Sequence, residues 1–288
     1  MILTSCELPN QLLGDRSINY DINDYDFVLY HLFSSNSKYR DFYTRSRTTH
    51  PNRITIFDNS AYEYYIKGEC LNMDEFRNAV SIFRPTFFIL PDVLMDKNKT
   101  LDMVKWEIGE FYKSEICRFS IPIAVIQGNS IDDMLECVFT YKALGIKAIA
   151  LPFHNSFLVG LGEEMKQNNT IPFRVFNTVY NKQINKDMLY ALGRIRLVEI
   201  LQLYLKSFNH IHLLGSHCPL EKMFYSKLDN IHIRTIDTGY PVKCAVCGYE
   251  LFKEPSKPNI IIDDIMNKEF SEEEEKLIIN NVKSFKNL

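Results

Sequence analysis

Three aspartates and one amide stand where an apolar run stops. Asp58 follows Ile54-Thr55-Ile56-Phe57, Asp92 follows Phe88-Ile89-Leu90-Pro91, Gln127-Gly128 follows Ala124-Val125-Ile126, and Asp237 follows Arg234-Thr235-Ile236. Carboxylates gathered in one place can serve as nucleophile, as proton acceptor and as acceptor for the N–H groups of a purine-like edge, while Gln offers a donor and an acceptor together. That set suits chemistry at a glycosidic bond to a nucleobase. Its two-carboxylate logic is that of retaining glycosidases, which pass through a covalent sugar intermediate. One Asp at the end of a strand is commonly a turn or cap residue, but four polar ends in register are hard to explain as packing.

Two other constellations compete. His210-Ile211-His212 places alternate imidazoles on one strand face, where they could share a metal, and His31 and His154 are the candidates to complete a metal-dependent hydrolase. Cys244-Ala245-Val246-Cys247 has the spacing of two zinc ligands in a turn, yet a structural site needs four. Only His217 and Cys218 could supply the others, so no metal is expected and zinc is disfavoured.

The elements that must position these residues are legible as eight short apolar runs: Met1 to Thr4, Phe27 to Leu32, Ile54 to Phe57, Phe87 to Leu90, Ile121 to Ile126, Lys147 to Leu151, His210 to Leu214 and Ile231 to Ile236. Helical periodicity lies between several of them, over Met73 to Phe83, Leu101 to Tyr112, Ile131 to Leu144 and Asp187 to Phe208. Strands this apolar are buried on both faces, as under helices that cover a parallel sheet. Eight strands alternating with helices predict an α/β fold, a (β/α)8 TIM barrel, whose functional groups gather at the C-terminal ends of the strands. No linker or repeat divides the chain, so residues 1–288 read as one domain. Its irregular C-terminal extension, from about 241, includes a Pro-rich stretch through Pro255 and Pro258 and a last helix from about Ser271.

Thirty-three Lys and Arg against 36 Asp and Glu give a net charge of -3, which excludes a generally basic nucleic-acid coat. With 46% hydrophobic residues the chain can build a large core, and its apolar runs are too short to span a membrane. The start lacks the pattern of a secretory signal and the seven cysteines show no framework spacing, so a cytoplasmic protein with reduced thiols is expected. Positive charge is concentrated between Ser34 and Arg53, where Lys38, Arg40, Arg45, Arg47 and Arg53 face a single Asp41. Interleaved with Tyr39, Phe42 and Tyr43, these cations read as a loop on the catalytic face that contacts phosphates and stacks bases.

Taken in order, Phe57-Asp58-Asn59-Ser60-Ala61-Tyr62, Pro91-Asp92, Val125-Ile126-Gln127-Gly128, Leu213-Leu214-Gly215 and Ile236-Asp237-Thr238-Gly239 resemble the motifs of the tRNA-guanine transglycosylase superfamily, over about residues 54 to 240. The likeness is closest to the phage and bacterial enzymes that exchange guanine in DNA for a 7-deazaguanine. It implies that Asp237 attacks C1′ and expels guanine, that Asp58 handles the proton of the base, and that Asp92 and Gln127-Gly128 read the base edge. Ser60 and Gly215 are then further substrate-binding positions. DNA with its base out of the stack and a free 7-deazaguanine are the implied partners, with no cofactor, in the host cytoplasm if the protein is phage-encoded. Where the family carries Asp-Ser-Gly-Gly this chain has Asp58-Asn59-Ser60-Ala61, and the Gly-rich end of the next base-contacting strand is replaced by Leu151-Pro152-Phe153-His154. The tRNA enzymes also hold zinc on three Cys and a His downstream of the nucleophile, whereas here no His follows His232 and no Cys follows Cys247. A zinc-less tRNA-guanine transglycosylase is therefore the runner-up. A non-catalytic nucleic-acid-binding barrel, which has no need of both Asp58 and Asp237, comes behind it, as does the metal-dependent hydrolase.

Overall fold

The computed structural model describes residues 2–14, 18–153, 155–168, 186–225, 228, 231–251, 253 and 260–288. The expectations that fall on Met1, His154, Pro255 and Pro258 lie outside these residues. Eight parallel strands form one sheet in the order β1-β8-β7-β6-β5-β4-β3-β2. They are β1 (Leu3–Cys6), β2 (Asp26–Leu29), β3 (Thr55–Asp58), β4 (Phe87–Ile89), β5 (Ile121–Val125), β6 (Ala148–Pro152), β7 (His210–Leu214) and β8 (Ile233–Thr238). Side chains close the remaining seam between β1 and β2. Asn23 acts as a surrogate peptide there, accepting from the Cys6 N–H at 2.8 Å and donating Nδ2–H to the Cys6 carbonyl at 2.9 Å, while the Thr4 N–H donates to Asp24 Oδ2 at 2.9 Å. The result is the expected (β/α)8 barrel, nearly closed.

Twelve helices bear on the site or on its support. They are α1 (Tyr30–Ser35), α2 (Ser37–Thr49), α3 (Ala61–Lys67), α4 (Met73–Phe83), α5 (Lys97–Lys113), α6 (Ile131–Ala143), α7 (Ser156–Gln167), α8 (Lys186–Leu205), α9 (Pro219–Tyr225), α10 (Tyr240–Val246), α11 (Ile262–Met266) and α12 (Glu272–Lys286). Local chemistry sets their ends. Asp96 accepts from the Lys99 N–H and starts α5 earlier than its apolar residues suggest, and Ser271 with Glu274 forms a capping box on α12. Pleating then sorts each strand between the two sides of the barrel wall. Phe57 and Phe88 turn outward onto the rings of Phe76 and Phe111 on the helices, whereas Phe27 and Phe87 turn inward onto His212 and His210.

The segment from Ser34 to Arg53 departs from expectation, for it is helical rather than a loop on the catalytic face. Asn36 caps α2 by accepting the Tyr39 N–H, and Tyr39, Tyr43 and Ser46 recur at helical spacing on the buried side. A helix that follows a barrel strand runs back toward the start of the next one. Lys38 and Arg40 therefore stay near the mouth, while Arg45, Arg47 and Arg53 descend toward the opposite rim, where β3 begins. The Cys-x-x-Cys segment is likewise not a turn: Cys244 is buried in α10 and Cys247 is its C-cap.

Candidate active site

Asp58 ends β3, Asp92 and Gln127 follow β4 and β5, Gly215 follows β7, and Asp237 sits one residue before the end of β8. All five line one cavity of about 250 Å³ in the mouth of the barrel. Asp237 is buried, and its Oδ1 accepts the Gly215 N–H at 2.9 Å, with His212 Nε2 3.0 Å away from the same oxygen. The Asp58 carboxyl lies across the cavity. Burial pushes it well above the usual carboxylate range and the nearby Glu63 adds to the rise, against the pull of the Ser60 N–H, which donates to Oδ2 at 2.7 Å. Burial also raises Asp92, while donation from Asn59 Nδ2 at 3.0 Å and Gln127 Nε2 at 2.8 Å draws it back. Gln127 is itself fixed, because its Oε1 accepts the Met95 N–H at 3.0 Å.

Two expected contact residues stand behind the wall instead. Gly128 has φ +149, a Cβ there would meet Asp133 Cβ at 2.4 Å, and its carbonyl accepts from Asn155 Nδ2 at 2.9 Å. It shapes the turn that presents Gln127. Ser60 is fully buried with left-handed backbone, φ 59 and ψ 32, and its hydroxyl is engaged by His31 Nδ1 at 2.9 Å. Its contribution to the cavity is the amide that holds Asp58.

Other residues of the mouth escaped sequence reasoning. Glu7 follows β1 and Glu63 lies on α3, and both line the cavity together with Lys243 of α10. Period-two spacing of Leu3, Ser5 and Glu7, opposite Asp237 in the β1–β8 register, was the signal available for Glu7. Gly239 makes room for it, since a Cβ there would stand 2.5 Å from Glu7 Oε2. Burial, and then the charge of Asp237, push the Glu7 carboxyl up to about 8. The folded state thus holds this proton more tightly than the unfolded chain, so the associated stability is full below the ordinary carboxylate range and is lost as pH rises through about 8. Between pH 5 and 8.5 the parent should lose roughly a few degrees more of melting temperature than Glu7→Gln, as read by thermal denaturation. Equal losses would remove Glu7 from the set of buried, protonated groups.

The C-terminal extension reaches this mouth through Ile260, Ile261 and Ile262, which form part of its rim. Asp263 fastens it: Oδ1 lies 2.8 Å from His31 Nε2 and Oδ2 accepts from Lys67 Nζ at 2.5 Å, and these partners hold its carboxyl down at about 2. His31 is thus occupied by Ser60 and Asp263. His210 and His212 share the Thr235 hydroxyl, at 2.8 and 2.9 Å. Among the described residues no three or more His, Cys, Asp or Glu side chains cluster as metal ligands would, and Cys244 lies on α10 with Cys247 as its C-cap.

Of the five cations, Arg53 is committed to Asp26 Oδ1 at 2.8 Å and the Asn23 carbonyl at 2.7 Å, and Arg47 to the carbonyls of Arg84 and Pro51. Arg40 donates to the carbonyls of Phe33 and Ser34, while Lys38 borders a groove beside Asp263 and Arg45 is exposed. Placement therefore assigns any phosphate contact to Lys38 and Arg40 rather than to Arg47 and Arg53. If the ligand is a nucleic acid, Lys38→Ala should flatten the salt dependence of its binding by about 0.7 to 0.9 in log–log slope for each phosphate that is no longer neutralised, whereas Arg53→Ala should lower stability and leave the slope alone. The reverse pattern would put the nucleic acid on the opposite rim.

No protein-family model and no curated protein matches the chain. No helix among the described residues is long and apolar enough to cross a membrane. A barrel of this type is commonly enzymatic, with its site at the end of the strands where these carboxyls meet.

Proposed function

We infer that the protein is a base-exchange enzyme that replaces guanine in DNA by a 7-deazaguanine through a covalent Asp237 intermediate. The convergence of Asp58, Asp92, Gln127 and Asp237 on one cavity carries this reading, because it joins Asp237, held by the Gly215 N–H, to a carboxyl that burial pushes well above the usual carboxylate range. A cavity of about 250 Å³ is below the roughly 300–1,000 Å³ of sites for drug-sized ligands, a size suited to one flat base. Asp92 has used one lone pair on each oxygen and keeps others for a base N–H, and Gln127 keeps a second N–H. Ser60, where the resembling family has its first glycine, has the left-handed backbone that glycine adopts freely.

In the forward half-reaction an Asp237 oxygen bonds to C1′ as the C1′–N9 bond breaks, the electron pair leaves with guanine, and Asp58 gives the base its proton. In the second half the incoming base yields its N9 proton to Asp58, N9 bonds to C1′, and the electron pair of the breaking ester returns to Asp237. Atoms and charge balance with no cofactor, since one glycosidic bond replaces another. DNA is the proposed polymer, with tRNA the alternative. A free nucleoside is a second reading, favoured by the commitment of Arg47 and Arg53 to structural bonds away from the mouth. Labelled guanine offered with single-stranded DNA, duplex DNA, tRNA or deoxyguanosine separates these. Uptake into DNA supports the proposal, uptake into tRNA or nucleoside alone transfers the chemistry to that substrate, and uptake into none refutes base exchange.

A further inference from the structure

Beneath the Asp237 carboxylate lies a row of polar side chains that this reaction does not use. A bulge between β7 and β8 skips Arg234, so that Ile211 pairs with Ile233 but His212 pairs with Thr235. That shift brings the Thr235 hydroxyl between two inward imidazoles, 2.8 Å from His210 Nε2 and 2.9 Å from His212 Nδ1. The rings of Phe87 and Phe27 pack against the two histidines, with centroids 4.4 and 5.3 Å away, and exclude water. At the top of the row, His212 Nε2 is buried without a hydrogen-bond partner and stands 3.0 Å from Asp237 Oδ1, off the line of a good hydrogen bond.

The protons in this row can be ordered by elimination. The single Thr235 proton can go to only one imidazole. Any order that places the His212 proton on Nδ1 turns the Nε2 lone pair toward a carboxylate oxygen 3.0 Å away, with no water to screen the repulsion. With both imidazoles neutral the remaining order runs one way: His210 Nε2–H donates to Thr235 Oγ1, the Thr235 hydroxyl donates to His212 Nδ1, and His212 Nε2–H faces Asp237. Burial, with His212 and Arg234 adding, holds the His210 imidazole down at about 3.

We propose that His212 is a positioning residue for Asp237: the chain His210, Thr235, His212 fixes its tautomer, and its Nε2–H joins the Gly215 amide on Oδ1, leaving Oδ2 to react. This rests on the reading of Asp237 as nucleophile. Glu7, Asp58 and Glu63 face Asp237 across the mouth, Arg194 lies behind β7, and burial pushes the nearby Cys6 thiol and Tyr25 hydroxyl well up. Two donors on one oxygen orient the carboxylate among these acids. They also stabilise the charge that returns to it when the ester breaks, while the hydrogen bond straightens as the site loads.

Side-chain ¹⁵N NMR of the full chain at neutral pH should find the His212 proton on Nε2, and Thr235→Val should allow the other tautomer. His212→Leu should move the acid limb of the exchange pH profile up by about one to two units, the worth of one hydrogen bond to a charged group, and His212→Gln, whose amide can donate, should move it less. A His212 proton found on Nδ1 in the parent would overturn the proposal, as would an unmoved acid limb in a His212→Leu protein that melts like the parent. Should the parent exchange no base at all, the nucleophile reading falls, and the nitrogen measurement alone decides the tautomer.

Discussion

If the proposed base exchange holds, Asp237→Asn should bind DNA about as the parent does but exchange guanine on the order of 10³-fold more slowly or worse, and should leave no denaturation-resistant protein–DNA adduct. The amide keeps the size of the side chain, and its carbonyl oxygen can still accept the Gly215 N–H that holds Oδ1 at 2.9 Å, so the cavity persists. What disappears is the carboxylate oxygen proposed to bond to C1′. Asp58→Asn makes the contrast: it retains the proposed nucleophile and loses the group proposed to move the base proton in both half-reactions, so it should bind DNA and exchange slowly without abolishing adduct. Filter binding, single-turnover exchange and denaturing gels measure the three quantities separately. Exchange by Asp237→Asn at a near-parental rate would place the chemistry elsewhere.

The largest structural effect is expected from Arg194→Ala. Arg194 is fully buried on α8, paired through Nε and Nη2 with Glu221 at 2.6 and 2.7 Å, and it donates to the carbonyls of Leu151, Leu214 and Gly215 at 2.9, 2.9 and 2.7 Å. It therefore ties the ends of β6 and β7 together just where the Gly215 amide must point at Asp237. Truncation leaves a buried carboxylate and three carbonyls without this donor, a loss of about 3–5 kcal/mol against a total of roughly 5–15. Denaturant unfolding measures it. Replacing Arg194 and Glu221 together by apolar residues should recover only part of the loss, because the carbonyls remain unsatisfied; full recovery would show that the ion pair alone mattered.

The strand ends were legible because two simple periods coincide there. Runs such as Phe87 to Leu90 announce buried strands, and a polar residue that stops such a run in a parallel barrel has one place to go, the mouth. Asp58, Asp92, Gln127 and Asp237 are all found there. Residues whose role depends on partners distant in sequence were not legible. Asp263 meets His31 across 232 positions and Arg194 reaches Gly215 across 21, and no local pattern marks either pairing. Gly128 and Ser60 show a different limit, since neither lines the cavity and their identity reports a backbone conformation or a buried hydroxyl. In the basic segment, charge density read as a loop concealed the Tyr39, Tyr43 and Ser46 spacing that folds α2 and disperses the cations along the barrel.

Peptide mass analysis of the protein denatured during exchange tests the covalent mechanism most directly. Incubation with a guanine-containing single strand, rapid denaturation, and digestion of both protein and DNA should yield a peptide spanning Asp237 that carries one deoxyribosyl nucleotide remnant without its base. The same peptide from Asp237→Asn should be unmodified. A base-free remnant on another residue, or base exchange by the parent with no modified peptide after rapid denaturation at several times within one turnover, would contradict attack by Asp237.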